Sequence, residues 1–257
     1  MRNIYKLIIA ISMVSLFSCE DAYEIEQVGL LKANNAITSV DDVELNLLGA
    51  LGYLDNATEI QFNATYSDEL GVGNTNGGQN LDELGLVLTP ASGKAFSMWA
   101  NGYLALAQVN RVIGGALLIT PEATETVRYE NALGQAYALR AYLHLKLQTY
   151  FSSDLTNDAA LGVIALDFVP ETSEFLPRSS NLEVFTLIEN DLGIAESLIN
   201  NTSATFLTLD VVKAIYARMY AYRGLYSQAF PYATDLLAAY PTTSQVAFTN
   251  MFTDAGQ

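Results

Sequence analysis

Apolar residues in this chain recur mostly at three- and four-residue spacing, the period of helices that bury one face. Val40, Val43, Leu47, Leu51 and Leu54 mark a first helix over 39–55. Ser39-Val40-Asp41-Asp42 in front of it has the form of a capping box with Asp in place of Glu. A second pattern runs over 95–118 and carries Trp99, Tyr103, Leu106, Val109, Asn110 and Ile113, with Pro121 as punctuation. A third, over 124–151, is apolar nearly all round, which predicts a helix buried between neighbours. Val184, Leu187, Ile188, Leu192, Ala195 and Leu198 share one face of a helix over 180–200. Two further patterns, 209–223 and 225–240, flank Gly224, with Pro241 as the stop and a short helix expected over 245–252. Sustained alternation of period two is absent, so a large sheet is not expected.

Between these lie two irregular stretches. Residues 65–90 are polar, and their centre from Gly71 to Asn80 is rich in Gly, Asn and Gln. A loop this long inside a domain is usually functional or disordered. Residues 152–178 form the second, ending in Pro170 and Pro177.

The hairpin around Gly224 fits the tetratricopeptide template. Ala217 and Tyr220 fill the first helix, Ala229 and Ala233 the second, and Pro241 ends the unit. Small residues let two antiparallel helices approach closely while Tyr220 fills the groove beside them. Leu133, Gly134 and Tyr137 repeat the first half of the pattern upstream, though irregular segments separate the copies.

The N-terminus changes the picture from fold to location. Arg2 and Lys6 precede an apolar run from Leu7 to Phe17 that is too short for a permanent span. Leu16-Phe17-Ser18-Cys19 then reads as a lipobox, with the chain's one cysteine as the lipidated first mature residue. The expected layout is a signal peptide over 1–18, a lipidated tether over 19–38 and a helical domain over 39–257. Charge supports a covalent link to the membrane. The formal charge is −16, and cleavage before Cys19 removes Arg2 and Lys6 but no acid. Such a surface repels nucleic-acid phosphates and anionic lipid alike. No disulfide can form within the mature chain.

Candidate chemistry is sparse. The single histidine, His144, sits in the most apolar helix with no second histidine to share a metal. No G-x-S-x-G elbow is present, and the Gly71–Gly78 run lacks the lysine of a phosphate loop. Acid pairs such as Asp68-Glu69 and Asp82-Glu83 match glycosidase chemistry in type, but solvated acid clusters are the commoner meaning. No catalytic residue, cofactor or metal is assigned. The 15 tyrosines mostly suit core packing, and they also offer flat faces with polar tips. Tyr66, Asp68, Asn74, Asn76, Gln79 and Asn80 in the polar loop, with Trp99 beyond it, supply the amides, carboxylate and rings that a glycan site needs. They are the candidate ligand contacts.

Together these segments resemble the SusD/RagB family of outer-membrane nutrient-binding lipoproteins. Trp99, Tyr103, Asn110 and Ile113 are similar to its "W…Y…AN..I" helix, and Arg140-Ala141-Tyr142 with Tyr150 to its "RA" helix. Leu161-Gly162-Val163-Ile164-Ala165-Leu166 sits where the family has a "GLPL"-type strand. Arg178-Ser179-Ser180, Glu183-Val184-Phe185, Ile188 and Asp191-Leu192 resemble its "R.S..EVY..I..DL" segment, the most specific of these. Ser152-Ser153-Asp154 replaces the family's usual "G..P". The resemblance implies an all-α, SusD-like fold of tetratricopeptide-type hairpins with long irregular loops. Members are longer, so an N-terminal portion or truncated gene product is expected. It further implies a non-enzymatic, surface-exposed outer-membrane protein that captures oligosaccharides or peptides for a TonB-dependent (SusC-like) transporter. The alternative is a tetratricopeptide-type adaptor that binds only protein.

Overall fold

A computed structural model describes residues 36–54, 56–67, 69–79, 81–89, 92–171, 173–200 and 207–253. The signal peptide, Cys19 and most of the expected tether lie outside the described residues, as do Asp68 and Asn80. From Ile37 onward the chain is one compact unit. Its helices are α1 (Val40–Leu51), α2 (Asn56–Tyr66), α3 (Leu81–Leu84), α4 (Gly93–Ala116), α5 (Thr126–Phe151), α6 (Asn181–Leu198), α7 (Leu209–Tyr222), α8 (Tyr226–Ala239) and α9 (Gln245–Asn250). The fold is all-α. Among the described residues the only β pairing outside helices is one antiparallel bridge, Leu161 to Ser180. The "GLPL"-type segment is therefore an extended connection rather than a strand of a sheet.

Two helix starts are fixed by capping boxes. The Ser39 hydroxyl accepts from Asp42 N–H at 3.2 Å, and the Asp42 carboxylate accepts from Ser39 N–H at 3.0 Å. At α6, Ser180 and Glu183 make the same exchange at 3.3 and 2.7 Å. Each box satisfies amides that a helix cannot pair internally.

Helix α5 is the hub. From Ala132 to Gln148 almost every residue is buried, because α4, α6, α1 and α7 all pack around it. Gly134 allows one close crossing: a Cβ there would lie 2.9 Å from Leu198 Cβ and 3.2 Å from the Ile199 backbone nitrogen. Phe185, Ile188 and Leu192 of α6 and Val109 and Leu106 of α4 complete the core.

The α7–α8 hairpin has the tetratricopeptide form. Gly224 turns it at φ +73°, a conformation open to glycine without steric cost. Leu225 N–H donates to Tyr220 O at 2.8 Å and Gly224 N–H to Ala221 O at 3.1 Å, a Schellman pair. Tyr216 and Tyr232 stack across the hairpin at 4.8 Å between ring centres.

Helix α2 falls in a stretch where periodicity gave no helix. Thr65 is its one buried residue, and Ile60 is 67% exposed. It lies on α4 and reaches α5 through polar and aromatic side chains.

Candidate functional site

The residues that carry the sequence motifs meet inside the molecule. Arg140 of α5 sends Nε and Nη2 to the two carboxylate oxygens of Asp191 on α6 at 2.8 and 2.7 Å. Its Nη1 donates to Asn110 Oδ1 of α4 at 3.0 Å and to Asp167 O at 3.2 Å. Asn110 Nδ2 then donates to Leu166 O and Phe168 O. Burial opposes the Arg140 charge, but the Asp191 hydrogen bonds outweigh it and hold the guanidinium above its ordinary value. Burial likewise pushes the Asp191 carboxyl up while Arg140 pulls it down, and the bidentate geometry keeps the pair ionic.

The same helix face fastens the rest of the irregular segment. Leu166 N–H donates to His144 Nε2 at 3.1 Å, so the proton sits on Nδ1, which donates to Arg140 O at 3.0 Å. Complete burial pulls the imidazole down to about 3, so it stays neutral. Val163 N–H donates to Gln148 Oε1 at 3.0 Å, and Arg178 donates to Gly162 O at 2.6 Å and to Phe151 O. These polar side chains replace a sheet ladder for residues 161–168. Their role is to hold a strandless segment on a helix.

The candidate ligand contacts lie at the opposite extreme of burial. Asn74 and Gln79 are exposed, and Asn76 is half-buried with its side-chain amide donating to Gln79 O at 2.7 Å. Tyr66 is half-buried against Phe62 at 4.6 Å. Trp99 is half-buried, packing on Tyr103 at 4.8 Å and edge-on to Phe151 at 5.0 Å. Asn76 and Gln79 thus share one turn, whereas Trp99 belongs to an aromatic cluster at the end of α5. Of the acids in the two sequence pairs, Glu83 accepts from Lys94 N–H and Nζ at 3.1 and 2.8 Å, which lowers its pKa against its burial.

Sequence reasoning missed a recess on either side of Lys146. Its ammonium pairs with Glu59 of α2 at 2.7 Å. Tyr150 donates to the other Glu59 oxygen at 2.8 Å and accepts from Asn63 Nδ2 at 2.9 Å. A cavity of about 30 Å³ lies on one side, against Tyr53, Asn101 and Met98. One of about 40 Å³ lies on the other, against Tyr142, Thr149, Arg218 and Tyr222. One signal was available: Tyr142, Lys146 and Tyr150 interrupt a buried helix at spacing four. Among the described residues, no three His, Cys, Asp or Glu side chains are grouped to hold a metal.

Comparison with known proteins places this geometry. No curated protein matches the chain by sequence. A SusD superfamily protein from Bacteroides thetaiotaomicron superposes with a TM-score of 0.72 at 19% identity, over 83% of this chain and 50% of its own. A SusD-like carbohydrate binding protein from Bacteroides vulgatus gives 0.70 at 22%, over 83% and 48%. A laminarin binding SusD-like protein gives 0.63 at 17%, over 82% and 46%. The chain thus spans about half the length of these similar structures. At these identities the likeness establishes the fold. The family itself follows from sequence, since residues 34–221 match the SusD-like family described as starch-binding and associating with the outer membrane, and the chain belongs to that family.

Proposed function

We propose that the protein is a lipid-anchored, surface-exposed outer-membrane protein that captures nutrients and delivers them to a TonB-dependent, SusC-like transporter. The family match over residues 34–221 carries this reading. A glycan is favoured over a peptide, because two similar structures are a carbohydrate binding and a laminarin binding protein. In this reading residues 1–18 are removed on export, Cys19 carries the acyl chains, and 19–38 tether the domain that follows. Tyr66 at the end of α2 and Asp68, Asn74, Asn76, Gln79 and Asn80 of the polar loop supply the contacts, and Trp99 stands nearby in sequence as the aromatic platform. The protein binds and does not cleave.

Titration of the soluble form, lacking residues through Cys19, against neutral oligosaccharides and peptides tests the reading. A saturable glycan isotherm is expected. Asn74 and Gln79 are exposed, so a double change to Ala leaves the core untouched. Losing two hydrogen bonds weakens binding by about tenfold or more. Silence across the panel, with transporter capture intact, replaces the reading with the tetratricopeptide adaptor. Labelling with radioactive palmitate that a Cys19→Ala change abolishes is expected in the exporting cell.

A further inference from the structure

The larger recess beside Lys146 has a lopsided stock of hydrogen-bonding groups. Its one carboxylate, Glu59, already accepts from Lys146 and Tyr150. The Thr149 hydroxyl donates to Leu145 O at 2.8 Å. Donors remain. Among the described residues, the Arg218 guanidinium and the Tyr142 and Tyr222 phenols form no hydrogen bond or ion pair. Arg218 and Tyr222 stand one turn apart on α7, and Tyr142 and Lys146 one turn apart on α5, so two rows of donors line one hollow. Of the nine described Lys and Arg side chains, six (Lys94, Arg128, Arg140, Lys146, Lys213 and Arg223) have an acid partner in a chain of net charge −16. Arg178 donates to backbone carbonyls, and Arg111 and Arg218 have neither, Arg111 lining no part of this recess.

Size narrows the occupant. The cavity is about 40 Å³, and on that measure one water needs roughly 10–15 Å³. A group of a few atoms fits, and a sugar ring does not. A ring can rest at the mouth, where Tyr222 is 41% exposed. A guanidinium with free N–H groups beside phenol donors complements a planar, acceptor-rich anion. The acidic surface does not forbid this, because charges more than about 8–10 Å away are largely screened at physiological salt.

We propose that this recess is a carboxylate-binding subsite, with Arg218 as its fork, for the acid group of a uronate-containing oligosaccharide or of an acidic peptide. The proposal rests on the nutrient-binding reading and narrows it to acidic ligands. The test is calorimetry on the full-length protein in neutral detergent. Three probes separate the sources: trigalacturonate, its neutral counterpart trigalactose, and tri-L-glutamate.

Saturable binding of at least one acidic probe is expected, weakening at least tenfold in R218Q and less in R218K. The rings stay in Tyr142→Phe/Tyr222→Phe, so packing is kept while the phenol donors go, and a threefold or larger loss is expected. Equal affinity of the acidic probe for R218Q and the parent overturns the proposal, as does failure of both acidic probes to bind. If trigalactose binds and is indifferent to R218Q while neither acid probe binds, the subsite fails and the nutrient reading stands. If an acid probe binds through Arg218 but the protein never associates with a transporter, the subsite stands and the reading fails.

Discussion

His144 ties the stability of this protein to pH through one proton. Its ring is fully buried and accepts from Leu166 N–H, so folding requires the neutral form. Its pKa falls from 6.5 to about 3 because burial removes water from the charged state. A base whose folded pKa is depressed gives stability that is whole above the unfolded value and is lost as pH drops below it. The loss begins near pH 6.5 and continues towards about 3. From pH 6.5 down to 4.5 the proton excess of the unfolded chain over the folded chain rises from about half towards one. The unfolding free energy read from urea melts should therefore fall with a slope that approaches about 1.4 kcal/mol per pH unit. Asp42 and Glu183 enter lower down. Their pKa values are depressed below 3.8 and 4.5 by backbone hydrogen bonds from Thr38 and Ser180, so their contribution is present above those values and disappears beneath them. His144→Gln keeps an acceptor for Leu166 and cannot take the proton. Its stability should be lower at pH 7.5 but nearly flat down to pH 4.5, and a slope as steep as the parent's would contradict the account.

Elements in this fold are decided by what their faces meet, and glycines show it most cleanly. Gly134 lies where α5 crosses the end of α6, and an added Cβ would meet Leu198 Cβ at 2.9 Å and the Ile199 backbone nitrogen at 3.2 Å. Backbone cannot swing aside as a long side chain can. Gly134→Ala should cost roughly 1–3 kcal/mol through overpacking. Gly114, on an exposed face of α4, has nothing within 4 Å of its Cβ position. Gly114→Ala should instead stabilise by about 0.5–1 kcal/mol from helix propensity. Thermal melts of the two variants should shift in opposite directions. The same distinction explains what the sequence could show. Helices α1, α4, α5, α6 and the α7–α8 hairpin bury apolar stripes, and those stripes repeat in the sequence. Helix α2 buries almost none. It is held by Glu59 and Asn63 reaching Lys146 and Tyr150, partners 87 to 91 residues away that no local pattern announces. The recess was hidden for the same reason, being built from three helices. Asn110, Arg140 and Asp191 were legible as motif residues, yet only the fold shows that they meet each other rather than a ligand.

At the scale of the whole molecule, charge and exposed apolar surface pull in opposite directions. The net charge of −16 keeps copies apart. Along α8, however, Tyr226, Phe230 and Leu237 form one stripe, being 71%, 70% and 58% exposed, and Tyr240 at its end is 62% exposed. Spacings of four, seven and three place them on a single face. Hairpins of this kind ordinarily cover such a face with the next helix of the stack, because one repeat cannot bury its own apolar side. In the isolated chain the stripe meets water. Repulsion between copies weakens as salt screens it, whereas attraction between apolar faces does not. Self-association of the purified chain should therefore rise with sodium chloride, the reverse of assembly by ion pairs. Phe230→Ser with Leu237→Ser removes the centre of the stripe while leaving the buried face of α8, with Ala229, in place. That variant should sediment as a monomer at high salt, bind less of an apolar dye, and unfold within about 0.5 kcal/mol of the parent. If it associates as strongly as the parent, a different surface drives the contact. If its stability collapses, the stripe is already covered by this chain's own residues.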